Sequence, residues 1–133
     1  MPLKCGDTFL LPKTSGDREH LWIVITDPDL ATNKAVCVNV TTQQTYSDST
    51  CVLQPGDHPF ISHTSVIFYQ DARELDLTLV EKALTTGIKD FVCQAHDPCS
   101  EHLLRRIRQG LIASKHTPKG IKALCKKLWG IRQ

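Results

Sequence analysis

Six side chains able to move protons or hold a phosphate stand at the ends of apolar runs. His20 directly precedes Leu21-Trp22-Ile23-Val24-Ile25, Thr41 and Thr42 close the run VCVNVTT, and His58, His63 and Ser65 belong to the stretch PGDHPFISHTS. Imidazole titrates near neutral pH and serves as general acid or base, while hydroxyls bond to phosphate oxygens. Metal-free cleavage of RNA uses such a set: a base for the 2′-hydroxyl proton, an acid for the departing oxygen, and fixed donors for the charge developing on phosphorus. The candidate catalytic residues are therefore His20, Thr41, His58, His63 and Ser65. Each also has a plain structural role. A histidine at a strand start is commonly held by hydrogen bonds, threonine suits an edge strand, and His58 before Pro59 is biased toward extended backbone.

If the flanking runs are strands of a small barrel, their polar ends can meet along one rim. The pattern of the first half supports this. Short β-branched and apolar runs at Asp7 to Leu11, Leu21 to Thr26, Ala35 to Thr42, Thr50 to Gln54 and Ser65 to Tyr69 read as five strands. Turn-forming clusters separate them, among them Asp27-Pro28-Asp29 and Pro55-Gly56-Asp57. The spacing is too tight for parallel crossovers, so most pairings are expected to be antiparallel.

The second half reads as helices. Asp76 is the expected cap of a segment bearing Leu77, Val80, Ala83 and Leu84 and ending near Gly87. In HDPCSEHLLRRIRQGLIAS, Asp97 is the expected N-cap, Pro98 the first helical residue, and Leu103, Leu104, Ile107 and Leu111 the apolar stripe. Thr117 and Pro118 are expected to open a third helix with Ile121, Leu124 and Leu128 on one side. The fold class is α+β: one domain over residues 1–133, a small antiparallel barrel in 1–75 followed by C-terminal helices in 76–133.

Other chemistries are disfavoured. Cys93, His96, Cys99 and His102 are zinc-binding types spaced three apart, yet Pro98 divides them and no long loop brings two ligand pairs together. No metal and no cofactor are expected, and no phosphate-binding glycine loop or dinucleotide fingerprint is present. The 6 cysteines read as reduced core thiols, because no signal-peptide core precedes them and Cys37 and Cys51 lie in strand-like runs. No apolar stretch is long enough to span a bilayer, and a cytoplasmic location is expected.

Charge is divided unevenly. Residues 1–99 hold 7 Lys and Arg against 13 Asp and Glu, net −6, whereas residues 100–133 hold 9 against 1, net +8. A basic C-terminal region attracts polyanions, or docks against the acidic half of the same chain. Arg105, Arg106, Lys119, Lys122 and Lys126 are accordingly candidate substrate-binding residues, together with Arg18 and Thr42 beside the catalytic candidates.

KCGDTFLL, HLWIVITDP, VCVNVTT and GDHPFISHTSVIFYQDAREL, over roughly residues 4–75, together resemble the MazF/PemK family of toxin-antitoxin ribonucleases. The resemblance implies an SH3-like barrel with added helices, metal-independent cleavage of single-stranded RNA, a homodimer and a cognate antitoxin. Carried onto this sequence, the family's Gly-Asp opening falls on Gly6-Asp7 and its threonine on Thr41 or Thr42. Its catalytic arginine falls on His20, with Arg18 two residues earlier. Histidine lacks the permanent forked charge of arginine. Either Arg18 or the loop from His58 to Ser65 supplies that function, or the barrel persists without cleavage as a module that binds protein or nucleic acid.

Overall fold

The computed structural model describes residues 2–12, 19–43, 47–86 and 94–131. Seven strands and three helices follow in the order β1 (Thr8–Pro12), β2 (Glu19–Val24), β3 (Lys34–Thr42), β4 (Val52–Leu53), β5 (Ser65–Ile67), a 3₁₀ turn (Tyr69–Asp71), β6 (Arg73–Asp76), α1 (Leu77–Thr86), β7 (Gln94–His96), α2 (Glu101–Ala113) and α3 (Lys119–Leu128). Every strand pairing is antiparallel. The strand order is β4-β5-β3-β2-β1-β7, and β6 also pairs with β3.

β3 organises the sheet because it serves three neighbours. One edge takes β2, through Trp22↔Asn39 and Val24↔Cys37; the other takes β6 along Lys34 to Cys37 and β5 along Val40 to Thr42. The 3₁₀ turn bridges these last two strands. Both faces are apolar, which explains why the strand sequences read as near-continuous hydrophobic runs. Alternation still sorts them. Leu10, Leu21, Ile23, Val36, Val38, Val40, Leu53 and Ile67 share one core with Leu103, Ile107 and Leu111 of α2 and Cys125 of α3. The alternate positions Phe9, Trp22, Val24, Ala35 and Cys37 pack with Leu77, Val80 and Ala83 of α1. Since one core draws on β1 through β5, the sheet curls around it as a barrel, with α2 and α3 against its interior and α1 on the outer face.

Tyr69 locks α2 to this barrel. Its side chain is fully buried and its hydroxyl donates to the Ile107 carbonyl at 2.8 Å. Gly110 makes the approach possible, because a Cβ there would stand 2.8 Å from Tyr69 Cζ.

Helix starts depart from the sequence expectation. Ser100, not Asp97, caps α2, its hydroxyl accepting the Leu103 N–H at 3.1 Å. Residues 97–99 instead strap the barrel: the Asp97 carbonyl accepts from Thr8 Oγ1 and from His58 Nε2, both at 2.6 Å, and the Cys99 N–H bonds to Gly6 O. Likewise Thr117 does not open α3. Pro118 stands at the cap, while the buried Thr117 hydroxyl donates to Leu111 O at 2.8 Å in the last turn of α2. Asp76 closes β6, yet its carboxylate accepts the Thr78 N–H in the manner expected of a cap. β6 and β7 have no counterpart in the sequence reading, and β4 and β5 are shorter than expected.

Candidate functional site

The outer-face parity of β2 and β3 gathers the first part of the site. Trp22 faces Asn39 across the pair, and continuing that register by two residues sets His20 against Thr41. Both side chains, with Asn39 and Thr42, line a cleft of about 350 Å³. β5 contributes Val66, the 3₁₀ turn and its approach contribute Phe68, Gln70 and Asp71, the segment before β4 contributes Ser47 and Asp48, and the α2–α3 turn contributes His116.

Hydrogen bonding fixes the chemistry of His20. Its Nδ1 lies 2.9 Å from the Val40 carbonyl. A carbonyl only accepts, so Nδ1 carries the proton and the neutral ring keeps its lone pair on Nε2. Thr41, opposite it on the same face, and Thr42, the next residue along β3, line the same cleft. Asp71 accepts from Asn39 Nδ2 at 2.7 Å and forms an ion pair with Arg73, a cation that is itself well exposed. Asp48 accepts from Ser114 Oγ at 2.5 Å and from the Thr50 hydroxyl and N–H. Burial opposes the Asp48 charge, but those hydrogen bonds and the nearby His116 together hold its carboxyl below the usual carboxylate range.

Three of the candidate catalytic residues do not enter this cleft. His58 is buried at 3% exposure, its Nε2 donating to Asp97 O and its Nδ1 accepting the Phe60 N–H at 3.1 Å. With both ring nitrogens engaged and its ring 5.0 Å from that of His96, it is a structural strut beneath β7. Ser65 fails by parity. It shares the inward face of β5 with Ile67, is buried, and donates to the His63 carbonyl at 2.8 Å. His63 is exposed and lies outside the cleft lining.

The loop from Pro55 to Ser65 is held by its own bonds. Asp57 accepts the Gln54 N–H at 2.7 Å, and Ile61 N–H bonds to His58 O. Arg106 reaches into the same region, donating to Val52 O at 2.6 Å and standing 3.5 Å from Asp57. Its guanidinium is thereby a structural tether, not a free phosphate contact. Lys122 is similarly committed, with Nζ 2.7 Å from Ser114 O. Arg105 and Lys119 are exposed and Lys126 is half-buried, all away from the cleft lining. Arg18 lies outside the described residues.

Of the possible zinc set, Cys93 also lies outside the described residues, and His96 turns its Nδ1 to the Asp97 N–H at 2.8 Å. Among the described residues no three metal-binding side chains gather. Cys5, Cys37, Cys51, Cys99 and Cys125 are free thiols. Burial pushes Cys99 and Cys125 up to about 12, so they are poor nucleophiles. Among the described residues no helix is long and apolar enough to cross a membrane.

Asn39, Asp48, Asp71 and His116 were not legible as site residues. Asn39 sits two positions before Thr41, so strand parity could have found it. Asp48 reads only as turn punctuation, and His116 as part of a helix connection.

The chain shares the fold of a MazE–MazF chain. That chain, from a crystal structure of MazE–MazF of Deinococcus radiodurans, aligns with a TM-score of 0.55 and 15% sequence identity. The alignment covers 85% of this chain and 94% of that one, so barrel and helices are both included. No family model matches the sequence, and no curated protein matches it. The α+β barrel with C-terminal helices expected from the strand and helix patterns is thus the architecture found.

Proposed function

We propose that this chain is a toxin-like, metal-independent endoribonuclease that cleaves single-stranded RNA in the cleft between His20 and Thr41. The observation carrying the proposal is the His20 tautomer. An imidazole whose Nδ1–H is fixed by a main-chain carbonyl presents Nε2 as a base at a cleft that Thr41 and Thr42 also line. In this reading His20 removes the 2′-hydroxyl proton, Thr41 and Thr42 donate to the phosphate oxygens, and Asn39 and Gln70 border the bound nucleotide. The MazE–MazF fold likeness supports a toxin of this kind with a cognate antitoxin, and a homodimer and a cytoplasmic site of action belong to the same reading.

Purified protein incubated with mixed RNA in a chelator should produce 2′,3′-cyclic phosphate ends. His20→Ala should reduce the rate on the order of 10²-fold or more, and His63→Ala should leave it unchanged. Equal cleavage by the natural protein and His20→Ala would reject the site.

A second reading is favoured by one feature. Two carboxylates, Asp48 and Asp71, line the cleft and repel a bare phosphate. Under that reading the barrel is a non-catalytic module whose cleft accepts a partner's polar or cationic side chain. RNA that stays intact, together with a protein partner whose binding is abolished by Asp71→Asn, would select it.

A further inference from the structure

We infer that His116, carried by the turn between α2 and α3, is the acid that faces the base His20 across the cleft, so that RNA cleavage here runs on two histidines. This rests on the ribonuclease reading of the same cleft. It assigns the second proton transfer to a residue more than 90 positions away in sequence, in place of His58 or His63, the alternatives suggested by the strand-end pattern.

The placement of His116 is built, not incidental. Its N–H bonds to Ser114 Oγ at 3.1 Å, and that same hydroxyl donates to Asp48 Oδ2 at 2.5 Å. One hydroxyl therefore ties the histidine's backbone and a carboxylate together. Two further bonds hold the turn: Thr117 Oγ1 to Leu111 O at 2.8 Å and Lys122 Nζ to Ser114 O at 2.7 Å. The His116 ring is exposed and lines the cleft with His20. Asp48 puts a negative charge beside a ring that must arrive protonated, whereas His20 bonds to a neutral carbonyl and keeps its base.

The step balances without metal or oxidant. Nε2 of His20 takes the proton of the 2′-hydroxyl as that oxygen bonds to phosphorus. The bond from phosphorus to the 5′ oxygen breaks, and His116 gives its ring proton to the departing oxygen. A 2′,3′-cyclic phosphate and a 5′-hydroxyl result, and exchange with water resets both rings.

The test uses single-turnover cleavage of one RNA and of its analogue with sulfur as the bridging 5′ atom, a leaving group that needs no acid. His116→Ala should slow the oxygen substrate on the order of 10²–10⁴-fold and cleave the sulfur substrate within a few-fold of the natural protein. His20→Ala should slow both. His116→Gln should repeat the alanine pattern, and circular dichroism melts should match, since the ring is exposed. The titratable groups lining the cleft are His20, Asp48, Asp71 and His116. Unchanged cleavage of both substrates by His116→Ala, or equal loss on both, overturns His116 as the acid while leaving the ribonuclease reading in place. Absence of any cleavage by the natural protein removes that reading, and the acid assignment with it.

Discussion

His58, in the loop between β4 and β5, and His20, near the start of β2, are the same residue type, and their surroundings give them opposite work. Both nitrogens of His58 are consumed, by a carbonyl and by an N–H, within a buried site. His20 spends one nitrogen and keeps the other at a cleft. His58→Ala should therefore leave Asp97 O and the Phe60 N–H without their partners and destabilise the fold by about 1–3 kcal/mol. Urea unfolding of the purified variant would read this directly, and a loss below a few tenths of a kcal/mol would contradict the strut assignment. The residue types suited to proton transfer were legible in the sequence, but their grouping was not. Parity is exact to one position: Ser65 faces inward with Ile67 while Val66 lines the cleft with Thr41, its partner across the pair. A loop rich in histidine and hydroxyls carries no such parity, so PGDHPFISHTS gave no sign that its polar groups bond among themselves.

At the level of elements, the connections decide the site. Strand and helix periodicity revealed the five main strands and all three helices, because alternating and 3.6-residue patterns are written in the apolar positions themselves. The caps were misread for a physical reason. Asp97 and Thr117 are good capping types, but tertiary hydrogen bonds to β1, to His58 and to the end of α2 engage the chain there first. The segment before β4 and the α2–α3 turn are joined by the bond between Asp48 and Ser114, 66 positions apart, and no local pattern announces such a contact. That link makes a pH prediction. Asp48 has a lowered folded pKa against an ordinary value of 3.8, so its stabilisation is complete above the ordinary value. As pH falls, the unfolded chain takes up the proton first, and the contribution disappears as pH passes the folded value. Asp48→Asn should consequently melt lower than the natural protein at pH 7, with the gap narrowing steadily on acidification below about pH 4. Parallel melts across that range with no narrowing would show that the carboxylate charge contributes nothing.

Across the whole molecule, the division between an acidic barrel and a basic helical end becomes spatial. α2 packs its apolar stripe on the barrel core through Leu103, Ile107 and Leu111, and part of the basic excess is spent there: Arg106 ties β4 and Asp57, Arg108 donates to Ile25 O at 3.0 Å and lies 5.3 Å over the Trp129 ring, and Lys122 secures the α2–α3 turn. Some cations of the basic region thus dock on the chain itself, while Arg105 and Lys119 stay exposed. In the ribonuclease reading, the exposed ones are those free to release counterions from RNA. For a single strand, the slope of log K against log salt falls by about 0.7 for each phosphate contact removed. Arg105→Gln with Lys119→Gln should reduce the slope by up to about twice that and leave the melting temperature within a few degrees. Arg106→Gln should do the reverse, lowering stability by about 1–3 kcal/mol through its lost bonds to Val52 O and Asp57 while leaving the slope unchanged in the folded fraction. Fluorescence anisotropy with a short labelled RNA at several salt concentrations separates the two effects. A slope unmoved by the first pair, or reduced by Arg106→Gln alone, would show that the phosphate-facing surface lies elsewhere on the molecule.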